Sequence, residues 1–457
     1  MAQPQPLRHA SVSATFGVSR TEITPPVGIY SRNWGAAKHD TATSIHRPLT
    51  LNALVVQSDE TKLILIDADL GWWRPMSLFR RFQGRLLNEF SLEPHQLIFA
   101  LTHSHATAPL MDPDPALPGS ELQEEWLERV YQSAVEAIQS ALTSSSAGVL
   151  EWHSGSCQLA SNRDLPEPDG ERFLCGYNPE NSADSTLVIG RLTDSSGAMR
   201  AVLVNYACHP TTLAWENESI SPDYIGAMRE TIEQATGANA FYLHGASGEL
   251  SPKYQYVGDV EVADRHGRQL GYATLATLFD MNPACQELAY TGVMESGAPL
   301  AVWQHREYSP SAQIMGDQTS VHLPLKDWPT ADVLEQQRAA CEDRALQERL
   351  RRKRDIRRVL GDGTTHAVQF SVWKLGEAIL VGSSCEAYSK LQTELRARFP
   401  NRTLVCMNLI NGTIGYLPPE ENYEFDIYQV WQTPFARGSL ERLIDAMEDR
   451  INEMISR

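Results

Sequence analysis

Apolar residues run along this chain in two rhythms. Short apolar stretches at 51–57, 62–66, 97–101, 186–192, 201–205, 240–243, 366–373, 378–381 and 403–407 have strand length. Several lack polar alternation, as strands buried on both faces do. Between them, apolar residues recur every three or four positions and predict amphipathic helices over 123–143, 226–236, 260–279, 331–359, 386–398 and 439–455. Strands alternating with helices predict an α/β fold, a layered sandwich of mixed β-sheets flanked by helices. Residues 1–14 read as a loose tail and 15–457 as a single domain, since no linker divides them. The stretch 164–185 is rich in Pro, Glu, Gly and Asn and reads as a long loop of the kind that covers a site.

Composition narrows the partners. A formal net charge of −18 argues against nucleic acid and anionic membranes. The one dense basic cluster, 349–358, ends a charged helical segment and reads as a solvated helix face. Seven scattered cysteines without a Cys-X-X-Cys pair suggest free thiols in a reducing compartment. The first residues lack the apolar core of a secretory signal, so the expected location is the cytoplasm, without stable membrane insertion. A small-molecule substrate is the expected partner, and self-association stays open.

Chemistry gathers at the strand ends. The run 97–101 leads into His103-Ser-His105, and residues i and i+2 of an extended segment face the same side. Four other strands lead into Cys208-His209-Pro210, His244 through Ser251, Glu386, and Asn408 through Tyr416. If these ends share one rim, a His₂Glu zinc arrangement with an open position results. Each residue also has a plainer reading. The histidine pair and His209 could be hydrogen-bonded in loops, and Glu386 could sit at a helix start. Tyr416 could be loop packing, and Arg163 could pair with Asp164. Asp67 and Asp69 read as structural, and Asp264 and His266 as lying on an exposed helix.

Together these pieces resemble the catalytic domain of the neutral (non-lysosomal) ceramidases, a family of zinc amidases. Phe16 through Gly28 is similar to the family's N-terminal segment, His103-Ser-His105 to its His-Thr-His-Ser, and Asn205-Tyr-Ala-Cys-His209-Pro-Thr to its second histidine segment. Ser221-Pro-Asp-Tyr224, Gly248-Glu-Leu-Ser251-Pro, and Gly415-Tyr416 with Tyr423 and Tyr428 follow in family order. The resemblance implies Zn²⁺ held by His103, His209, Glu386 and Tyr416. It places His105 at the scissile carbonyl, Arg163 in the pocket, Tyr428 at the oxyanion and Ser251 in support. It also implies amide hydrolysis by metal-activated water.

Departures point away from ceramide. Ala106-Thr-Ala-Pro109 replaces the glycines that usually follow the histidine pair, and Lys253 stands where Asn is usual. The chain ends about 40 residues after Tyr416, where ceramidases continue into an immunoglobulin-like domain. A smaller, more polar substrate is therefore expected. The alternatives are a glycosidic or cyclic sugar-derived substrate for the same metal cup, or a non-catalytic binding or scaffold relative. A serine hydrolase is disfavoured, because Gly245-Ala-Ser247-Gly-Glu lacks the helix that a nucleophile elbow requires.

Overall fold

The computed structural model describes residues 4–58, 60–361 and 363–457. Two sheets carry the fold. The larger has eight strands in the spatial order Asn239–His244, Met199–Tyr206, Thr186–Asp194, Ser146–Ser156, Ala10–Glu22, Thr50–Gln57, Lys62–Ala68 and Leu97–Leu101. The outermost pair at each end is parallel and the rest are antiparallel. The smaller sheet orders Ile314–Pro324, Thr365–Leu375, Ala378–Ser383 and Thr403–Met407.

Alternating side chains sort these strands into layers. Along Thr50–Gln57 and Lys62–Ala68, Ala53, Val55, Ile64 and Ile66 face one core, shared with Trp126, Val130 and Ile138 of the helix Gln123–Thr143. Their neighbours Leu54, Val56, Leu63 and Leu65 face the opposite way and pack with Trp373, Leu380 and Val405 of the smaller sheet. The smaller sheet in turn offers Phe370, Val372, Ile379 and Val381 to the helices Lys390–Arg398 and Ser439–Ser456. Helices Tyr224–Thr236 and Val260–Phe279 cover the other half of the large sheet. The result is helix, sheet, sheet, helix, with Thr50–Gln57, Lys62–Ala68 and Ala378–Ser383 buried on both sides. The expected layered α/β sandwich is what forms.

Some expectations change. The loose tail gives way to strand at Ala10, because Val12 is fully buried between the sheets. Residues 1–3 lie outside the described residues. The long helix expected over 331–359 is two, Ala331–Ala339 and Arg344–Leu360, the second started by Asp343, which accepts from Leu346 N at 2.8 Å. The helix expected from Glu386 starts only at Lys390. Cys385–Ala387 instead forms a short strand parallel to Gly415–Leu417. Asp264 and His266 are buried: Asp264 binds Arg47, and His266 Nδ1 lies 3.1 Å from Thr212 Oγ1. Among the described residues no helix is long and apolar enough to cross a membrane.

Candidate active site

The chain leaves the strand Leu97–Leu101 through an unusual backbone conformation. His103 has φ 67°, a left-handed geometry that non-glycine residues rarely adopt and that clusters at functional sites. Its own N–H donates to Leu70 O at 2.9 Å, and its ring Nδ1 lies 3.1 Å from Gly71 O. A carbonyl only accepts, so Nδ1 carries a proton, and in the neutral ring Nε2 then presents a bare lone pair. His209 repeats the arrangement beyond the strand Met199–Tyr206, with Nδ1 2.6 Å from Ser247 O.

Both bare Nε2 atoms lie 3.2 Å from one atom, Glu386 Oε2. His105 adds a third ring, its Nε2 3.4 Å from His103 Nε2. One ligand atom from each of His103, His105 and His209 lies within 4.8 Å of the others. Burial lowers the His209 pKa to about 3, with Arg163 adding to the effect, and it carries His105 well below the ordinary histidine value. His105 and His209 are therefore neutral at pH 7.

Glu386 and Tyr416 arrive together because they are register partners in the parallel pair Cys385–Ala387 and Gly415–Leu417. Arg163 joins them. Its Nη2 donates to Gly248 O at 2.7 Å and lies 3.3 Å from both Tyr416 Oη and His209 Nε2. Burial, reinforced by Glu386, pushes the Tyr416 phenol well above its ordinary pKa. Tyr428 stands against Tyr416, ring centroids 5.7 Å apart. Ser251 lies in a short strand that pairs with Ala160–Asn162, directly before Arg163, and its hydroxyl accepts from Gln255 at 2.7 Å. The loop expected over 164–185 contains a hairpin, Asp164–Pro166 with Phe173–Cys175, and Cys175 lines the cleft.

The donor chemistry passes the test for a divalent cation. Two unprotonated imidazole nitrogens facing one carboxylate oxygen repel each other unless a cation lies among them. Nitrogen and carboxylate donors in this mixture suit zinc. His103 and His209 belong to either three-donor set, completed by Glu386 or by His105.

Two cavities meet over this cluster, sharing His105, Arg352, Tyr416, Tyr428 and Gln432. The first holds about 820 Å³ of empty space, counting the solvent at its open mouth. Trp72 packs on His105 at 4.8 Å between ring centroids, and Trp34 does so at 5.3 Å. The basic helix forms part of this wall, so the expected solvated face is a correction. The Arg351 and Arg352 side chains are only 17% and 22% exposed, and both bind Glu348. A helical reading of spacing was available, since 351, 355 and 359 fall on one face. Trp72, Arg74, Asn33 and Tyr256 escaped the sequence reading, because nothing local marks them as site residues.

No family model matches the chain. The neutral ceramidase of Pseudomonas aeruginosa is 20% identical over 305 residues, which are 63% of this chain and 44% of that protein. The crystal structure of the P. aeruginosa neutral ceramidase superposes with a TM-score of 0.68 at 15% identity, over 96% of this chain and 73% of that one. A ceramidase complexed with C2 gives 0.67 at 14%, over 97% and 76%. The fold is that of a neutral ceramidase. On this ceramidase-like frame His103, His209, Glu386, Tyr416 and Arg163 converge from both sheets, and Ser251 lies one strand pair away.

Proposed function

We propose that the chain is a zinc-dependent hydrolase that cleaves an amide, or a related acyl bond, of a small polar metabolite. The observation that carries this reading is the meeting of two proton-free histidine nitrogens on Glu386 Oε2. His103, His209 and Glu386 would hold the metal, with Tyr416 at its side. When bound, zinc polarises a carbonyl and lowers the pKa of water toward about 7.

The remaining roles belong to the chain. Arg163, fixed on the Gly248 carbonyl, holds a positive charge where negative charge develops on the carbonyl oxygen. Tyr428 is a second donor at that point. His105 is neutral and half-buried beside His103, so it can take a proton from the attacking water and pass it to the departing amine. Trp72 and Trp34 enclose His105 and limit the entry of bulk water.

Metal analysis of purified protein tests the reading. The expected result is about one zinc per chain, lost together with amide hydrolysis in His103→Ala and His209→Ala. A metal-free, fully folded wild type would show a non-catalytic relative instead. Activity on glycosides alone, in a panel of amides, esters and glycosides, would defeat the amidase reading.

A further inference from the structure

The wall opposite the histidines carries a buried excess of positive charge. Arg74, Arg351 and Arg352 share one carboxylate, Glu348, at 3.9, 2.7 and 2.8 Å. Of the other acids that line this cavity, Asp355 is taken by Arg354 at 2.7 Å and Glu386 faces His103 and His209. Three guanidiniums facing one counter-charge leave two positive charges uncompensated inside a cleft.

The geometry of this cluster is built rather than incidental. Arg74 is only 9% exposed, and its Nε and Nη1 have no hydrogen-bond partner. Its guanidinium lies 4.4 Å over the Trp72 ring, and that of Arg352 lies 5.5 Å over the same ring. Asn33 ties the pair to the histidine loop. Its Oδ1 accepts from Arg74 at 3.0 Å and its backbone carbonyl accepts from Arg352, while its Nδ2 donates to Thr107 O at 2.7 Å and His105 O at 3.2 Å. Thus one indole lies between the arginines and His105, 4.4 Å from the Arg74 guanidinium and 4.8 Å from the His105 ring. Burial and the neighbouring Arg351 push the Arg74 pKa down to about 9, the sign of a cation short of counter-charge.

We propose that Arg74 and Arg352 bind an oxyanion carried by the substrate, a carboxylate or a phosphate, roughly one residue's length from the scissile bond. This rests on the hydrolase reading and names its substrate class, an acidic N-acylated metabolite. An uncharged lipid would leave Arg74 Nε and Nη1 buried without a partner, which is costly.

The test compares N-acetyl-L-alanine with its neutral isostere N-acetyl-L-alaninamide on the zinc-loaded protein, reading acetate release. The acid is expected to have a KM at least tenfold lower, and the gap should close in Arg352→Gln and partly return in Arg352→Lys. Equal KM values in the wild type overturn the inference and leave the hydrolase reading standing. Calorimetric titration with inorganic phosphate and with acetate reads the cradle independently of turnover and shows which anion shape it prefers. Binding lost in Arg352→Gln at unchanged zinc content supports the proposal even if no amide is cleaved, a result that would count against the hydrolase reading alone. Binding that is absent, or unaltered by Arg352→Gln, overturns it.

Discussion

Replacing Arg229 by Met tests how the fold supports His103. Arg229 is buried between two carboxylates: its Nη2 binds Asp67 at 2.7 Å and its Nη1 binds Asp69. Asp69 closes the strand that runs into Leu70 and Gly71, whose carbonyls hold the backbone and ring of His103. Burial and Asp69 already raise the Asp67 pKa, with Arg229 pulling against them. Without Arg229, two carboxylates that are 0% and 1% exposed cannot both stay ionised, and one takes up a proton.

Holding a carboxyl of ordinary pKa 3.9 protonated at pH 7 costs about 4 kcal/mol, at 1.36 kcal/mol per pH unit. Loss of the buried ion pair alone gives a similar range, about 3–5 kcal/mol. The sign follows from linkage. In the variant the folded pKa lies above the unfolded one, so the deficit is small near pH 4 and grows as pH rises toward the folded value. Urea denaturation of wild type and Arg229→Met from pH 5 to pH 8 measures it. The expected destabilisation is about 1.5 kcal/mol at pH 5 and about 4 kcal/mol at pH 7. A pH-independent difference, or one below about 1 kcal/mol at pH 7, would refute the reasoning.

Other outcomes follow from single positions. In Gly119→Ala the new Cβ would meet Gly28 O at 2.1 Å in a backbone with φ +75°, so a loss of about 3 kcal/mol or more is expected in the same assay. Gly237→Ala, at φ +69° but in open space, should lose only about 1 kcal/mol. Asn33→Ala should raise the KM for the acidic amide severalfold while leaving zinc content unchanged, which kinetics and metal analysis read separately. Removing zinc with a chelator should lower the urea midpoint, since a ligand at a thousand times its Kd contributes about 4 kcal/mol. An unchanged midpoint would mean that the histidine cluster does not bind zinc tightly.

Local pattern was the legible part. The helices Gln123–Thr143 and Val260–Phe279 and the strands Leu97–Leu101 and Thr403–Met407 have the expected ends, because stripes and apolar runs are properties of neighbouring residues. Ser146–Ser156 lies inside the large sheet but holds few apolar residues, so its burial comes from partners distant in sequence. The hairpin Gln286–Glu307 is mostly exposed and carries no core rhythm. In the site, His103 and His209 were legible from the strands that lead into them. Glu386 was legible in the same way but its strand was not, because a pairing with Tyr416, 30 residues further on, overrides its local helix pattern. The arginine wall was missed because a charged helix looks the same in sequence whether it faces water or a cleft.

The pairing of Glu386 with Tyr416 also bears on assembly. His103 and His209 issue from the eight-stranded sheet, whereas Glu386 follows a strand of the four-stranded one. An ion gripped by all three would therefore act as a rivet through two separately hydrogen-bonded layers, joining chain segments that end near residue 210 to ones that begin near residue 385. With Glu386 as its third ligand, the metal would report completion of the whole sandwich and resist any opening between its sheets.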